Sequence, residues 1–303
     1  MNYIDLHVHS TYSDGTCTPK ELIELAAERS LTYIALTDHD TTEGIPYALA
    51  AAKHSSVRVI PGVELSSDYT IIRKEVSNQD LLEIQLVKDI HIVGLGIDYK
   101  NPAFAEHLLK FQQERTERNV KMCRNLEEAG FDISYEALHH AFPDAILTRC
   151  HIARFLLDKG YVGSIDEAFE RYIGSHCPCY VPRTKITPMK AVSLIKAAGG
   201  TAVLAHPMLY HLTEQELCEL IEQLKQFGLD GIEAIYSRNL DGEESFVRSL
   251  AEKYALAISG GSDFHGTNKP DIELGTGKGN NIRVPEELLK GLHLSWLTLF
   301  PPM

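Results

Sequence analysis

The chain contains no run approaching the roughly 20 apolar residues that cross a bilayer, so no membrane partner is expected. Its opening residues, Met1-Asn2-Tyr3-Ile4-Asp5-Leu6-His7, lack the basic segment and apolar stretch of a secretory leader. Cysteine is sparse: Cys17, Cys123, Cys150, Cys177, Cys179 and Cys218 are scattered through 303 residues. A chain of this length buries a core without disulfide staples, and free thiols in a reducing cytoplasm are the expected state. Cys177-Pro-Cys179 has no second cysteine pair to complete a zinc clip. A positive balance is also missing. At a net charge of −13, the protein is not expected to grip long duplex nucleic acid through an open basic surface. A small phosphorylated substrate remains compatible, because bound divalent cations reverse the local sign of an acidic pocket.

What is present is an alternation. Residues 3–8, 32–37, 57–64, 90–97, 201–205, 231–234 and 256–259 read as strands, most with helical patterns between them. Thr18-Pro19-Lys20-Glu21 supplies a cap, a proline at the first helical position and a capping-box glutamate ahead of Leu22, Ile23, Leu25 and Ala26. Such alternation implies an α/β fold with a mainly parallel sheet, open or closed into a barrel. The middle differs. Residues 102–189 read as helices, over 104–129, 152–159 and 165–173, with no clear strand. Between 102 and 190 there are 12 basic and 12 acidic residues, so the net negative charge lies in the remainder. The expected organisation is 1–101 and 190–303 as two parts of one barrel, with 102–189 as a helical insertion.

Chemistry-bearing residues recur where the strands end. In Asp5-Leu6-His7-Val8-His9, residues two apart share a face, so His7 and His9 can converge on one ion with Asp5 behind them. Asp5 is a candidate to hold a second ring nitrogen, as metal-bound imidazoles require. Thr37-Asp38-His39-Asp40 closes the second strand, Glu64 the third, and His206 follows the run 201–205. His91 sits within a strand, and Ser262-Asp263-Phe264-His265 follows the last one. Active sites of α/β folds are built at the carboxyl ends of strands. Imidazole and carboxylate without thiolate suit manganese, iron or zinc, and a set this large suggests more than one ion. Gly94-Leu95-Gly96 and Gly275-Thr276-Gly277-Lys278-Gly279 lack the spacing of nucleotide-binding loops.

These residues resemble the PHP (polymerase and histidinol phosphatase) superfamily in four motifs, in order: Asp5-x-His7-x-His9-Ser10, Thr37-Asp38-His39, Ala205-His206-Pro207 and Ser262-Asp263-x-His265. The resemblance implies a distorted (β/α)7 barrel and a centre of two or three divalent ions, with manganese the first expectation and zinc or iron as alternatives. It implies one ion on His7, His9, Glu64 and Asp263. A second shares Glu64 and takes His91 and His206, and a third takes Asp14, His39 and His265. The stretch His91-Ile92-Val93-Gly94-Leu95-Gly96 and the run Thr148-Arg149-x-His151-Ile152-Ala153-Arg154 resemble one branch, bacterial proteins that hydrolyse nucleoside 3′,5′-bisphosphates and trim short RNAs from the 5′ end. That branch implies a metal-dependent phosphoester hydrolase whose helical insertion caps the barrel. Arg149 and His151 are then the catalytic and phosphate-binding candidates, with Arg183 and Lys185 as further substrate contacts. The segment 66–89 departs from the pattern as an expanded polar stretch, expected as a longer hairpin at the pocket mouth. Two other readings compete: another small-molecule phosphatase, such as one acting on histidinol phosphate, and a non-catalytic metal- or nucleotide-binding module. An amidohydrolase is disfavoured, since Glu64 stands where those enzymes commonly carry a modified lysine. No sequence signal bears on oligomeric state.

Overall fold

The computed structural model describes residues 2–77, 80–143, 145–183 and 185–294. The chain begins β1 (Tyr3–Val8), α1 (Pro19–Glu28), β2 (Leu31–Leu36), α2 (Ile45–Ala52), β3 (Arg58–Ser77) and β4 (Asp80–Leu95). A helical stretch follows: α3 (Pro102–Glu128), α4 (Tyr135–Ala141), α5 (Arg149–Asp158) and α6 (Ile165–Ala168). The alternation then resumes with α7 (Pro188–Ala197), β5 (Thr201–Leu204), α8 (Glu214–Gln226), β6 (Gly231–Tyr236), α9 (Glu243–Tyr254) and β7 (Ala257–Gly261). The short pieces β8 (Ile272–Glu273), β9 (Gly277–Lys278) and β10 (Val284–Pro285) follow. The anticipated cap of α1 forms: Glu21 N donates to Thr18 Oγ1 (3.2 Å) and Thr18 N donates to Glu21 Oε2 (2.7 Å).

One sheet runs β10-β1-β2-β3-β4-β5-β6-β7. Its pairings are parallel from β1 to β3 and from β5 to β7, while β4 runs antiparallel to both neighbours. The sheet nearly closes, because residues just beyond β7 reach β1: Asp263 N donates to His7 O (2.9 Å) and His9 N donates to Phe264 O (3.0 Å). The result is the expected distorted barrel. Ile4, Leu6, Tyr33, Ala35, Ile60, Val93, Leu95, Val203 and Ile235 pack together with Ile282, Val284 and Leu289, plugging the end of the barrel away from the strand tips. A second layer, including Ile34, Leu36, Val59, Ile92, Leu204 and Ile232, packs against apolar faces of α1, α7, α8 and α9. Among the described residues no helix is long and apolar enough to cross a membrane.

Three local features matter. First, the stretch 66–89 is a long hairpin, as expected. β3 and β4 continue through it as one ribbon, paired from Gly62↔Leu95 to Ser77↔Asp80. Tertiary contacts hold the ribbon straight: Tyr69 Oη accepts from Gln223 on α8 (3.0 Å), and Arg73 grips Glu216 with two bonds (2.7 and 2.8 Å). Second, the helix expected over 165–173 turns from α to π pitch at Phe169–Ile173, where Gly174 N donates to Phe169 O (2.9 Å). Third, β1 breaks its two-residue alternation. Its register with β2 shifts between Asp5 and Val8, so Leu6 joins the inner cluster while Val8 joins the outer. Within the helical stretch, Met122, Leu126, Leu138, Ile152, Leu156 and Ile173 form a separate apolar cluster.

Candidate metal centre and anion pocket

The loop after β1 folds back tightly. Ser10 N and Oγ donate to Asp38 (2.7 and 2.6 Å), and Ser13 Oγ donates to it as well (2.6 Å). Asp38 is therefore the anchor of this loop. Gly15 permits the fold-back, since a Cβ there would lie 2.3 Å from His9 O. The loop delivers Asp14 beside His9. Across the barrel seam, Gly261 lies so close to β1 that a Cβ would meet that of His7 at 2.4 Å. Asp40, His206 and Asp263 have positive φ values of 53°, 24° and 56°. Non-glycine residues there are strained by about 1–3 kcal/mol each and cluster at functional sites.

All nine residues expected as metal ligands converge. Glu64 is 1% exposed and is the hub. Its Oε1 lies 2.8 Å from His91 Nδ1, 3.1 Å from His206 Nε2 and 3.3 Å from His7 Nε2. Its Oε2 lies 3.0 Å from His39 Nδ1 and 3.3 Å from His9 Nε2. Asp263 Oδ1 lies 3.3 Å from His265 Nδ1 and 3.4 Å from His9 Nε2. Asp14 Oδ1 lies 3.3 Å from His265 Nε2 and 3.7 Å from His39 Nε2. Four donor groups are compact enough to hold an ion: His9, Asp14, His39 and His265; His7, Glu64 and His206; His7, His9 and Asp263; and His39, Glu64 and His91. The two middle sets share His7, and Glu64 joins different imidazoles on its two sides. The grouping differs from the implied one: His9 joins Asp14, His39 and His265, Glu64 leaves the set of His7, His9 and Asp263, and His91 and His206 part, His206 grouping with His7 and Glu64 and His91 with His39 and Glu64.

Electrostatics and unmet bonding both fit a cation. Burial alone would raise these carboxyls, yet surrounding imidazoles hold Glu64 and Asp14, and Lys269 together with imidazoles holds Asp263, well below the usual range. Conversely, burial opposes charge on His9 and His91, but the carboxylates raise them to about 9 and about 10. His7 Nε2, His9 Nε2, His39 Nδ1 and Asp14 Oδ1 are buried without a hydrogen-bond partner. Buried polar atoms are rarely left so, and imidazole with carboxylate is the donor set of a divalent transition ion.

The partners of the imidazoles correct one expectation. Asp5 does not hold a histidine ring. Its carboxyl accepts from Ser262 N (2.9 Å), Ser262 Oγ (2.5 Å) and Gly275 N (2.7 Å), so its oxygens are taken by the loops beyond β7. Glu233 does that work: its Oε1 lies 3.1 Å from His7 Nδ1, and its Oε2 accepts from His206 N (2.7 Å). The signal in the sequence was a single carboxylate inside the apolar run Gly231-Ile232-Glu233-Ala234-Ile235. Tyr236 Oη and Lys269 Nζ donate to Asp263 Oδ2 (2.9 and 2.6 Å).

Beside His39, His91 and Asp14 lies a cavity of about 160 Å³ with five cationic side chains on its wall: Arg115, Arg118, Arg149, Arg183 and Lys185. Arg149 is set between two aromatic rings, 5.6 Å from Phe169 and 5.5 Å from Tyr180, so the π turn positions an arginine. Arg183 and Arg115 both pair with Asp40, and Lys185 pairs with Asp89 (2.6 Å) and Asp68 (3.3 Å). Arg118 is different. It is 7% exposed and has no carboxylate partner among the described residues. Burial, then repulsion from Arg115, Arg149 and Arg183, pushes it well below the usual guanidinium range. Arg115 and Arg118 went unrecognised in the sequence because Glu114-Arg115-Thr116-Glu117-Arg118 reads as an ordinary charged helix face.

His151 lies outside this cavity wall. Its Nδ1 accepts from Thr148 N (2.9 Å), which closes the capping box of α5, and its ring meets Phe142 edge-on at 4.8 Å. Burial keeps it uncharged, at about 4. With its accepting nitrogen committed to the helix cap, the ring positions the start of α5. His151→Ala is expected to lower stability by about 1 kcal/mol while kcat stays within a few-fold of wild type; thermal melts beside initial rates check this.

Comparison with known proteins agrees with the geometry. The PHP domain model matches residues 5–196. A 3′,5′-nucleoside bisphosphate phosphatase of Chromobacterium violaceum is 36% identical over 91% of this chain and 91% of its own length. A 5′-3′ exoribonuclease of Haemophilus influenzae is 34% identical over 86% of this chain and 89% of its own. Among solved structures, a Chromobacterium violaceum protein described as an amidohydrolase, with bound sulfate and no metal, superposes with a TM-score of 0.80. It is 32% identical, covering 95% of this chain and 96% of its own. With nine clustered ligand candidates on the strand ends of a matching barrel, the chain belongs to the PHP family of metal-dependent phosphoester hydrolases.

Proposed function

We propose that the protein hydrolyses the 3′-phosphoester of nucleotides that carry a 5′-phosphate, namely nucleoside 3′,5′-bisphosphates and the 5′ end of short RNAs. Arg118 is the observation that carries this reading. A buried, unpaired guanidinium is costly, and an entering dianion is the partner that would offset it. Arg149, Arg183 and Lys185 stand close enough to share that anion, and a planar guanidinium fork suits phosphate oxygens. The sulfate held by the Chromobacterium relative is a tetrahedral dianion of the same kind, and two curated relatives are named for nucleotide and RNA substrates. A terminal phosphate in the arginine pocket would leave the 3′-phosphate of the same nucleotide at the histidine cluster.

His7, His9, Asp14, His39, Glu64, His91, His206, Asp263 and His265 are proposed as the ligands of two or three divalent ions, manganese first, with zinc or iron as alternatives. Such ions supply Lewis-acid stabilisation of phosphoryl charge and lower the pKa of a bound water from about 15.7 to about 7. The chain's own part is positional. Glu233 fixes His7, Tyr236 and Lys269 fix Asp263, and Thr148 Oγ1 donates to Asp14 Oδ2 (3.2 Å). In the reaction, an oxygen from water bonds to phosphorus, the bond from phosphorus to the 3′-oxygen breaks, and that oxygen leaves as a hydroxyl. Arg149 is proposed to stabilise the transferred charge. Residues 102–189 are proposed as a cap on a barrel formed by 1–101 and 190–303. A cytoplasmic setting is supported by six cysteines that are all unpaired.

The test is phosphate release from adenosine 3′,5′-bisphosphate, with manganese and with a chelator. Release that yields AMP and stops on chelation is the expected result. A metal-loaded protein that leaves this substrate intact yet cleaves histidinol phosphate would replace the nucleotide reading with the competing one.

A further inference from the structure

A second cavity, of about 410 Å³, lies on the other side of the loop that carries Asp14. The two chambers share walls. Asp14 lines the arginine pocket while Gly15 and Thr16 line the second chamber. Likewise α5 turns Arg149 and Cys150 to one side and His151, Arg154 and Asp158 to the other. The chemistry of the two differs sharply. The arginine pocket is strongly cationic. Among the described residues of the second chamber, the one guanidinium, Arg154, is matched by Asp158 at 2.8 Å, burial keeps His151 uncharged, and the other polar side chains are Thr11, Thr16, Thr18, Thr267 and Asn268. Phe142 adds an aromatic ring. Asn268 ties the chamber to the centre, since its Nδ2 donates to Asp14 O (2.9 Å), while its buried Oδ1 has no partner.

Among the described residues the chamber offers no excess of positive charge, only hydroxyls, one amide, an uncharged imidazole, one matched ion pair and one aromatic ring, which favours a phosphate far less than the arginine pocket does. It suits the sugar hydroxyls and base of a nucleoside, and its volume lies within the usual range for small-molecule sites. We propose that this chamber receives the second nucleoside of a 5′-phosphorylated RNA, the one joined through its 5′-oxygen to the phosphate under attack. This rests on the proposed function and extends it. The first nucleotide reaches from the arginine pocket to the histidine cluster, and the strand continues past Asp14 into the chamber. A nucleoside bisphosphate has nothing to place there, so the chamber distinguishes the two substrate classes.

Ala141→Trp and Thr267→Trp each add bulk to the chamber from an exposed wall position. The experiment compares kcat/KM for adenosine 3′,5′-bisphosphate and for the 5′-phosphorylated dinucleotide pApA, with thermal melts to confirm folding. The expected result is a bisphosphate rate within about twofold of wild type and a loss of about tenfold or more on pApA, carried by KM, the scale of one lost base-stacking contact. Equal effects on both substrates from the folded variants, or no effect on either, overturn the chamber. So does a wild-type protein that hydrolyses the bisphosphate but not pApA. A wild-type protein that cleaves neither overturns the proposed function itself, and the chamber with it.

Discussion

Glu64→Gln is expected to empty the centre and reduce phosphate release from adenosine 3′,5′-bisphosphate by about a thousandfold or more, the scale of several kcal/mol of lost charge stabilisation. The reason is geometric. The two oxygens of this carboxylate stand within 3.3 Å of ring nitrogens from His7, His9, His39, His91 and His206. Glutamine keeps the shape but replaces one oxygen with an NH2 group, which cannot accept from or ligate anything on its side. Five imidazoles would then converge on half a charge-bearing group. Metal content by elemental analysis should fall together with rate, and the variant should resemble chelated wild type. Wild-type turnover in a folded Glu64→Gln protein would remove Glu64 from the chemistry and with it the multi-ion centre.

Arg118→Met is expected to move stability and activity in opposite directions. Arg118 is buried among Arg115, Arg149 and Arg183, without a carboxylate partner among the described residues. Methionine of similar reach removes an uncompensated charge, so stability in the absence of substrate should rise by about 1–3 kcal/mol. The same change removes a charge-assisted bond to the substrate's terminal phosphate, worth about 1.5–3 kcal/mol, so KM should rise by roughly 10- to 150-fold. Denaturant melts and initial rates on one preparation read both signs. Lower stability with an unchanged KM would make Arg118 a structural residue and leave the arginine pocket without its strongest argument. The paired cations make a useful contrast: Arg183 is already matched by Asp40, so neutralising it leaves Asp40 with one partner fewer and should destabilise.

The α/β alternation and the recurrence of His, Asp and Glu at strand ends were legible because each signal is local, while closure into a barrel and the place of Asp14 came from the resemblance to a family. A strand that ends in His or Asp carries its own direction, and strand ends gather at one rim of a barrel whatever their order in the chain. The capping box at Thr18 and the long helix near 104 to 129 were legible for the same reason, as spacing of neighbours along one chain. What failed depended on other parts of the molecule. Which groups Asp5 meets depends on Ser262 and Gly275, both distant in the chain. The arginine-holding π turn depends on the packing around Phe169 and Tyr180. Glu233 is read correctly only once His7 is known to lie across from it.

The sequence by itself therefore determined the fold class and most of the candidate ligands that converge, since alternation and residue chemistry are properties of short segments. The tertiary structure alone decided which carboxylate supports which imidazole, that Asp38 anchors a loop, and that His151 caps a helix. It alone also decided that Arg115 and Arg118 leave the solvated face of α3 for a pocket. Each of these turns on desolvation and on partners distant in the chain. A charged side chain carries no mark of whether water or another charge will face it.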